Sequence, residues 1–131
     1  MAEHLHATLV RKGYEAFERG DMDTLRELFT ADCTHHVPGD HPFAGDTKGV
    51  ESIIEFYGRL FEETGGSMRN QLLDVYVDGR GHAVAMHRIT ADRKGKHYDA
   101  RGCIVFRIMG DKATDLEECV DDLDKANEFW S

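Results

Sequence analysis

The feature that most constrains this chain is a change of hydrophobic period at Gly65-Gly66. After these glycines, apolar and polar residues alternate and β-branched and aromatic types become frequent, a pattern typical of half-buried strands. A chain that passes from helices to consecutive strands predicts an α+β domain with its helices on one face of a sheet. Before the glycines, apolar residues recur at helical spacing, most clearly at Val50, Ile53, Ile54, Tyr57, Leu60 and Phe61.

Two further helices are predicted ahead of that stripe. The first spans residues 3–19, and Gly20 is placed to end it in a left-handed turn. Asp21 then caps a second helix that carries Leu25, Leu28 and Phe29. A short strand over 33–37 follows and leads into a proline-containing loop.

Four strands are predicted over 69–77, 83–93, 96–108 and 113–121, with a short helix or docked extension over 122–131. Glycine-containing turns join them, which favours hairpins and antiparallel pairing. The two-residue turn at Lys94-Gly95 fixes the register of the central hairpin. It predicts three cross-strand pairs on one face: Arg88 with Arg101, Thr90 with Asp99, and Met86 with Cys103.

Length and charge limit the kind of protein this is. We expect one domain over residues 1–131, since no linker or repeat divides the chain. Acidic residues outnumber basic ones by 25 to 16, a net charge of −9, which disfavours nucleic acid and anionic membrane surfaces as partners. No apolar run approaches the roughly 20 residues of a membrane span. Three widely spaced cysteines do not suggest a disulfide framework, so a cytoplasmic protein is expected.

Three short segments occur in an order that resembles a known superfamily. They are Gly20-Asp21 after the first helix, 36–39 (His-Val-Pro-Gly) after the first strand, and Gly45 with Lys48-Gly49 before the third helix. The chain is similar, over nearly its whole length, to the SnoaL-like polyketide cyclases and ketosteroid isomerases of the nuclear transport factor two superfamily. The resemblance implies a cone-shaped barrel, in which three N-terminal helices pack on the concave face of a curved, mainly antiparallel sheet around an apolar pocket.

The resemblance also implies a homodimer formed through the outer face of the sheet. Ile89, Ile104 and Phe106 are the apolar residues that we consider for this contact. The same three residues could equally form the core beneath the helices.

The resemblance implies proton transfer next to a carbonyl, with His36, Arg101 and Glu118 as catalytic residues. His36 falls where the isomerases carry their general base, and an imidazole with a pKa of about 6.5 exchanges protons at neutral pH. Arg101 falls where they hold an acid that helps to bind an oxyanion, and a guanidinium there would be a fixed cation. Glu118 shares a strand face with Leu116 and Val120 and would orient or shuttle the proton.

Each catalytic assignment has a structural alternative. His36 could anchor the wall or loop, with His35 on the opposite face of the strand or at a dimer contact. Arg101 and Glu118 could belong to an ion-pair network. A register slip of one residue would instead place His87 and Ile89 inside the pocket.

The pocket wall is expected to supply substrate-binding residues as well. Tyr14 lies one residue from the position of the isomerases' tyrosine, so core packing is its alternative. His35, His36 and His41 with Asp40 match no standard zinc spacing, so no metal is expected. Proton transfer requires no cofactor, and none is expected. The full substrate-binding set is Tyr14, Phe43, Tyr57, Met86, Arg88, Asp99 and Cys103.

These observations together predict a protein that binds a small apolar molecule and acts as a cofactor-independent isomerase or cyclase. Two alternatives remain open. One is a non-catalytic ligand-binding or dimeric assembly module. The other is epoxide hydrolysis, for which Asp99, Arg101 and Glu118 offer a rough counterpart to the Asp–Arg–Asp set of related hydrolases.

Overall fold

The computed structural model describes residues 3–131, which fold into helices covering one curved sheet. The elements in chain order are α1 (Leu5–Arg19), α2 (Met22–Leu28), β1 (Phe29–Val37), β2 (Gly45–Lys48), α3 (Val50–Glu63), β3 (Arg69–Val77), β4 (His82–Arg93), β5 (Lys96–Met109), β6 (Lys112–Val120) and α4 (Leu123–Trp130). Within residues 3–131, no helix has the length and apolar character needed to cross a membrane.

The strands form a six-stranded sheet in the order β2-β1-β6-β5-β4-β3. β1 and β6 run parallel, and the other neighbouring pairs of the described sheet are antiparallel. The predicted α+β class with three N-terminal helices is confirmed. The structure adds β2, a polar strand that the sequence pattern did not indicate, and α4 forms within the C-terminal tail.

The boundary between α1 and α2 forms as the sequence predicts. Gly20 adopts a left-handed conformation with a φ of 69°, and its backbone N–H reaches the carbonyls of Ala16 and Phe17. The Asp21 carboxylate then accepts a hydrogen bond of 3.1 Å from the backbone N–H of Thr24. These two residues therefore end one helix and start the next within a single turn.

The predicted register of the central hairpin is also confirmed, because Arg88 pairs with Arg101, Thr90 with Asp99 and Met86 with Cys103. The face assigned to these residues is wrong. Along β4 the alternate residues Ala85, His87, Ile89 and Ala91 are buried under the helices. The arginine-bearing face is therefore the outer one. On that face the two opposed guanidiniums remain hydrated, which reduces their repulsion.

The core lies between the concave face of the sheet and the helices. Ile89, Ile104 and Phe106 belong to it and are nearly inaccessible, so the alternative that places them in the core is confirmed and the outer dimer surface is wrong for them. At one end of the sheet the Phe129 ring of α4 stacks on Tyr98 with 4.9 Å between centroids. The buried Arg93 guanidinium donates to the carbonyl oxygens of Phe129 and Ser131, which fastens α4 over that end.

Candidate functional site

A cavity lies between the concave face of the sheet and helices α1 and α3. Its volume is about 80 Å³, which is small beside the roughly 300–1,000 Å³ of typical small-molecule sites. Among its described lining residues there is no lysine or arginine, and Glu118 carries the formal negative charge. The aromatic residues of the wall are Tyr14, Phe17, Phe29, Phe43, Phe56, Tyr57, Tyr98, Phe106 and Trp130.

A chain of three polar side chains crosses this apolar wall. His35 Nδ1 lies 2.8 Å from the Tyr57 hydroxyl, and His35 Nε2 lies 2.9 Å from Glu118 Oε1. Because β1 and β6 run parallel with His35 opposite Leu116, Glu118 falls on the same face two residues further along. The side chains of His35 and Glu118 are only 5% and 14% exposed. The fold thus holds an imidazole and a carboxylate together, largely out of water.

The proton positions in this chain follow from its chemistry. Burial, and secondarily the Glu118 charge, raises the pKa of Tyr57 well above its usual value, so the hydroxyl keeps its proton. An ionised Glu118 can only accept, so His35 Nε2–H must donate to it. A neutral His35 then accepts the Tyr57 O–H at Nδ1. Tyr57 therefore fixes the tautomer that places a proton next to the carboxylate.

A second polar pair joins Tyr14, which lines the cavity, to His87, which is buried next to it but is not a lining residue. The Tyr14 hydroxyl of α1 is 2.7 Å from His87 Nδ1 of β4, and both residues are buried. Burial lowers the pKa of His87 and raises that of Tyr14 well above its usual value, so both are neutral. The Glu118 charge acts on both pKa values, which couples the two polar groups electrostatically.

Gly102 makes the room that the His87 imidazole occupies. The two residues are cross-strand partners, and a Cβ built at Gly102 would lie 3.2 Å from His87 Nε2 and collide with the Cys119 carbonyl oxygen. His87 Nε2 is buried without a hydrogen-bond partner among the described residues. Because Gly102 of β5 has no side chain, the His87 imidazole fits under α1.

The structure places His36 on the outside of the sheet, so the prediction that it faces the pocket is wrong. Its Nδ1 lies 2.7 Å from Asp46 and its Nε2 lies 2.9 Å from Asp115. These contacts, with the Asp46 hydrogen bond as the largest cause, raise the pKa of His36. The fully buried Cys33 fixes the inner face of β1, and His35 follows it two residues later. The expectation that His35 points away from the pocket is therefore wrong as well.

The predicted arginine site is also on the outer face. Arg101 is exposed there, and the Arg88 guanidinium donates two hydrogen bonds to Asp99 at 2.8 and 2.6 Å. Met86 is 39% exposed and its partner Cys103 is partly exposed beside it, so neither lines the cavity. Asp99 and Arg101 thus lie across the sheet from Glu118, and the set considered for epoxide hydrolysis is not assembled.

Four of the predicted site residues do line the cavity: Tyr14, Phe43, Tyr57 and Glu118. Their roles in binding or catalysis remain predictions. The sequence analysis placed His35 outside the cavity and considered His87 inside only through a register slip, whereas the structure buries both with the predicted register intact. A signal for both was present in the sequence, because each lies two residues from an apolar residue on the same strand face, Cys33 for His35 and Ile89 for His87.

One group of potential metal ligands lies on the outer face. Ligand atoms of His36, Asp115 and Glu117 lie within 4.8 Å of one another. Both nitrogens of His36 already bind carboxylates, to Asp46 and Asp115, so the imidazole is satisfied without an ion. The geometry is that of a charged surface network.

The comparisons with known proteins agree with this fold. The SnoaL-like domain family matches residues 10–116. An uncharacterised protein of Mycobacterium tuberculosis is 33% identical over 131 residues, which are 100% of each chain. The structure of Bal32a, from a soil-derived mobile gene cassette, shares 42% identity with a TM-score of 0.94 and 97% coverage of both chains. TerC, co-crystallised with polyporic acid, shares 18% identity with a TM-score of 0.79, covering 90% of this chain and 92% of its own.

The chain therefore belongs to the SnoaL-like domain family, as its sequence resemblance implied. At its low identity TerC supports the fold alone.

Proposed function

We propose that this protein binds a small, neutral, apolar molecule in its cavity and moves a proton next to a carbonyl, as a cofactor-independent isomerase or cyclase. The observation that carries the proposal is the Tyr57–His35–Glu118 chain in the wall of an otherwise apolar cavity. A buried carboxylate supported by an imidazole is a proton acceptor and donor held next to the ligand space.

Glu118 is the group that takes the proton. Its Oε1 is occupied by His35, whereas Oε2 has no hydrogen-bond partner among the described side chains and is available to a substrate C–H. His35 orients the carboxylate, and Tyr57 orients His35. This order of contacts places the reacting atom at Glu118 and gives the other two residues positioning roles.

Tyr14 is the hydrogen-bond donor for the substrate oxygen on which negative charge develops. It lines the cavity and keeps its proton because burial raises its pKa. When the neutral His87 carries its proton on Nδ1, it donates to the Tyr14 oxygen and leaves the tyrosine proton free for the ligand. A hydroxyl held in this way stabilises an enolate without reorganising.

The electrostatics of the wall support a neutral ligand. An anionic ligand would meet the Glu118 carboxylate and no lining lysine or arginine. The aromatic side chains of the wall instead offer flat apolar surfaces on which a ring system can stack.

Hydrogen–deuterium exchange tests the proton transfer directly. α-Tetralone, a neutral bicyclic aromatic ketone, is incubated with the protein in heavy water, and loss of the proton signal next to its carbonyl is followed by NMR. Wild type is expected to accelerate the exchange, and Glu118→Gln to lose about 10²–10⁴-fold of that acceleration. His36→Ala is the matched control, since this residue neighbours His35 but lies outside the cavity. Equal acceleration by wild type and Glu118→Gln refutes the assignment.

A non-catalytic ligand-binding module is the second candidate. The observation that favours it is that both nitrogens of His35 are already hydrogen-bonded, as a static structural network would require. Its signature in the same experiment is thermal stabilisation by the ketone, with no accelerated exchange in any variant.

A homodimer and a cytoplasmic location remain predictions. The outer face offers Tyr76 and Met86, 58% and 39% exposed, as the apolar surface for a second copy in place of the three buried core residues. Sedimentation velocity of wild type and Tyr76→Glu measures whether that face associates.

A further inference from the structure

Two of the three cysteines face each other across neighbouring strands. Cys103 of β5 and Cys119 of β6 are direct partners in the antiparallel ladder. Their chain neighbours Ile104 and Glu118 line the cavity, so the two thiols lie on the opposite, outer face. Cys119 is exposed and Cys103 is partly buried, whereas Cys33 is fully buried in the core. The outer face thus carries a cross-strand dithiol that the cavity chemistry does not use.

The ladder geometry sets the distance between the two strands at this pair. The backbone N–H of Asp121 donates to the Arg101 carbonyl at 3.0 Å, two residues along each strand. Since hydrogen-bonded pairs alternate, Cys103 and Cys119 also form such a pair, whose Cα atoms are about 5.5 Å apart. Disulfides span roughly 4.4–6.8 Å between Cα atoms, so the pair can be bridged while the strands stay paired.

We propose that Cys103 and Cys119 form an oxidation site, at which a hydroperoxide converts the two thiols into an intramolecular disulfide. The exposed Cys119 thiolate attacks one peroxide oxygen, the O–O bond breaks, and Cys119 becomes a sulfenic acid as hydroxide leaves. The Cys103 sulfur then attacks the Cys119 sulfur. The S–O bond breaks, and water leaves with the Cys103 proton. With hydrogen peroxide as oxidant, the thiols lose two electrons and the peroxide is reduced to two waters.

The surroundings of the two thiols give them different roles. Burial, followed by the neighbouring Cys119 thiol, raises the pKa of Cys103. Cys103 is therefore the resolving thiol, and the more accessible Cys119 meets the oxidant. Side chains of an antiparallel pair stand farther apart at Cβ than an unstrained disulfide requires, and strained disulfides are easily reduced. The bridge is thus reversible, and a mild thiol reductant opens it.

Cys33 provides an internal control for this chemistry. It has no exposed surface, and burial raises its pKa to about 12, so its thiol is unreactive in the folded protein. Oxidation confined to the outer face therefore leaves one free thiol, at a known position.

The experiment treats the folded full-length chain with stoichiometric hydrogen peroxide, then denatures and alkylates it for mass spectrometry. We expect wild type to lose the mass of two hydrogen atoms and to yield a linked peptide pair containing Cys103 and Cys119, with alkylation at Cys33 alone. Dithiothreitol is expected to restore three alkylated thiols. Cys103→Ser and Cys119→Ser, both on the outer face of the sheet, are expected to form no internal bridge, and Cys33→Ser is expected to form it normally.

Two results would overturn the assignment. One is a Cys119 sulfinic or sulfonic acid with Cys103 still free, because it shows that the second thiol cannot reach the first. The other is a disulfide-linked dimer on a non-reducing gel in place of the internal bridge. Neither outcome depends on whether the cavity is catalytic.

Discussion

Substituting the adjacent residues His35 and His36 one at a time is the sharpest test of the site. His35→Ala removes the shared partner of the Tyr57 hydroxyl and Glu118 Oε1, both of which lie in a largely apolar wall. Leaving such groups unpaired costs roughly 1–3 kcal/mol each, so we expect a loss of about 2–4 kcal/mol in the free energy of unfolding, since water entering the cavity offsets part of it. For a chain of this length, each kcal/mol lost from the free energy of unfolding lowers the midpoint temperature of thermal unfolding by about 3–4 °C.

His36→Ala is the matched control at the next position. It breaks contacts with Asp46 and Asp115 in which the side chains are 31–69% exposed, so the expected loss is about 0–1 kcal/mol. Urea unfolding followed by tryptophan fluorescence measures both variants. Equal losses for the two substitutions would refute the placement of His35 inside the cavity. A double-mutant cycle with Glu118→Gln adds a second check, since His35 and Glu118 must show non-additive losses if they share one network.

The remaining predictions concern Gly102 and the outer histidine. Gly102→Ala drives a methyl group against the Cys119 carbonyl oxygen and the His87 ring, so we expect a loss of about 1–3 kcal/mol in unfolding free energy and a changed near-ultraviolet tyrosine signal from Tyr14. Gly58→Ala, where a Cβ meets nothing, is its control, and equal losses would contradict the crowding at Gly102. The pKa of His36 is higher in the folded protein than its unfolded value of about 6.5. Its contacts with the two carboxylates therefore contribute their full stability below the unfolded pKa, and this stability is lost as the pH rises through the folded pKa. Unfolding free energies measured across that interval should fall more steeply for wild type than for His36→Ala, and parallel curves would refute the pairing.

Much of the fold could be predicted because local chemistry determines it. Gly20 and Asp21 mark a helix end and a helix start, and the Lys94-Gly95 turn fixes twelve cross-strand pairs of the β4–β5 hairpin. β2 could not be predicted in the same way. Its sequence, Gly-Asp-Thr-Lys, has no apolar alternation, and the strand exists because its backbone pairs with the end of β1.

The inner face of β4 was harder to assign from sequence. Its buried positions include three alanines, Ala83, Ala85 and Ala91, which give little hydrophobic signal. The outer positions include Val84 and Met86, which are larger and more apolar. Small residues are needed inside because α1 packs there, with Tyr14 reaching His87. Side-chain size on a strand under a helix therefore reflects the space that remains, and the more apolar face is not always the covered one.

The wrong placement of His36, instead of His35, in the pocket has a different cause. A residue transferred by resemblance onto a strand changes face with every single-residue offset, because the side chains alternate. Glu118 reached the cavity because the nearly inaccessible Leu116, two residues before it, fixes the inner face of β6. The same reasoning from Cys33 selects His35 on β1. The parallel β1–β6 pair then places the imidazole against the carboxylate, so the identity of the acid–base pair depends on which neighbour is buried rather than on which histidine aligns.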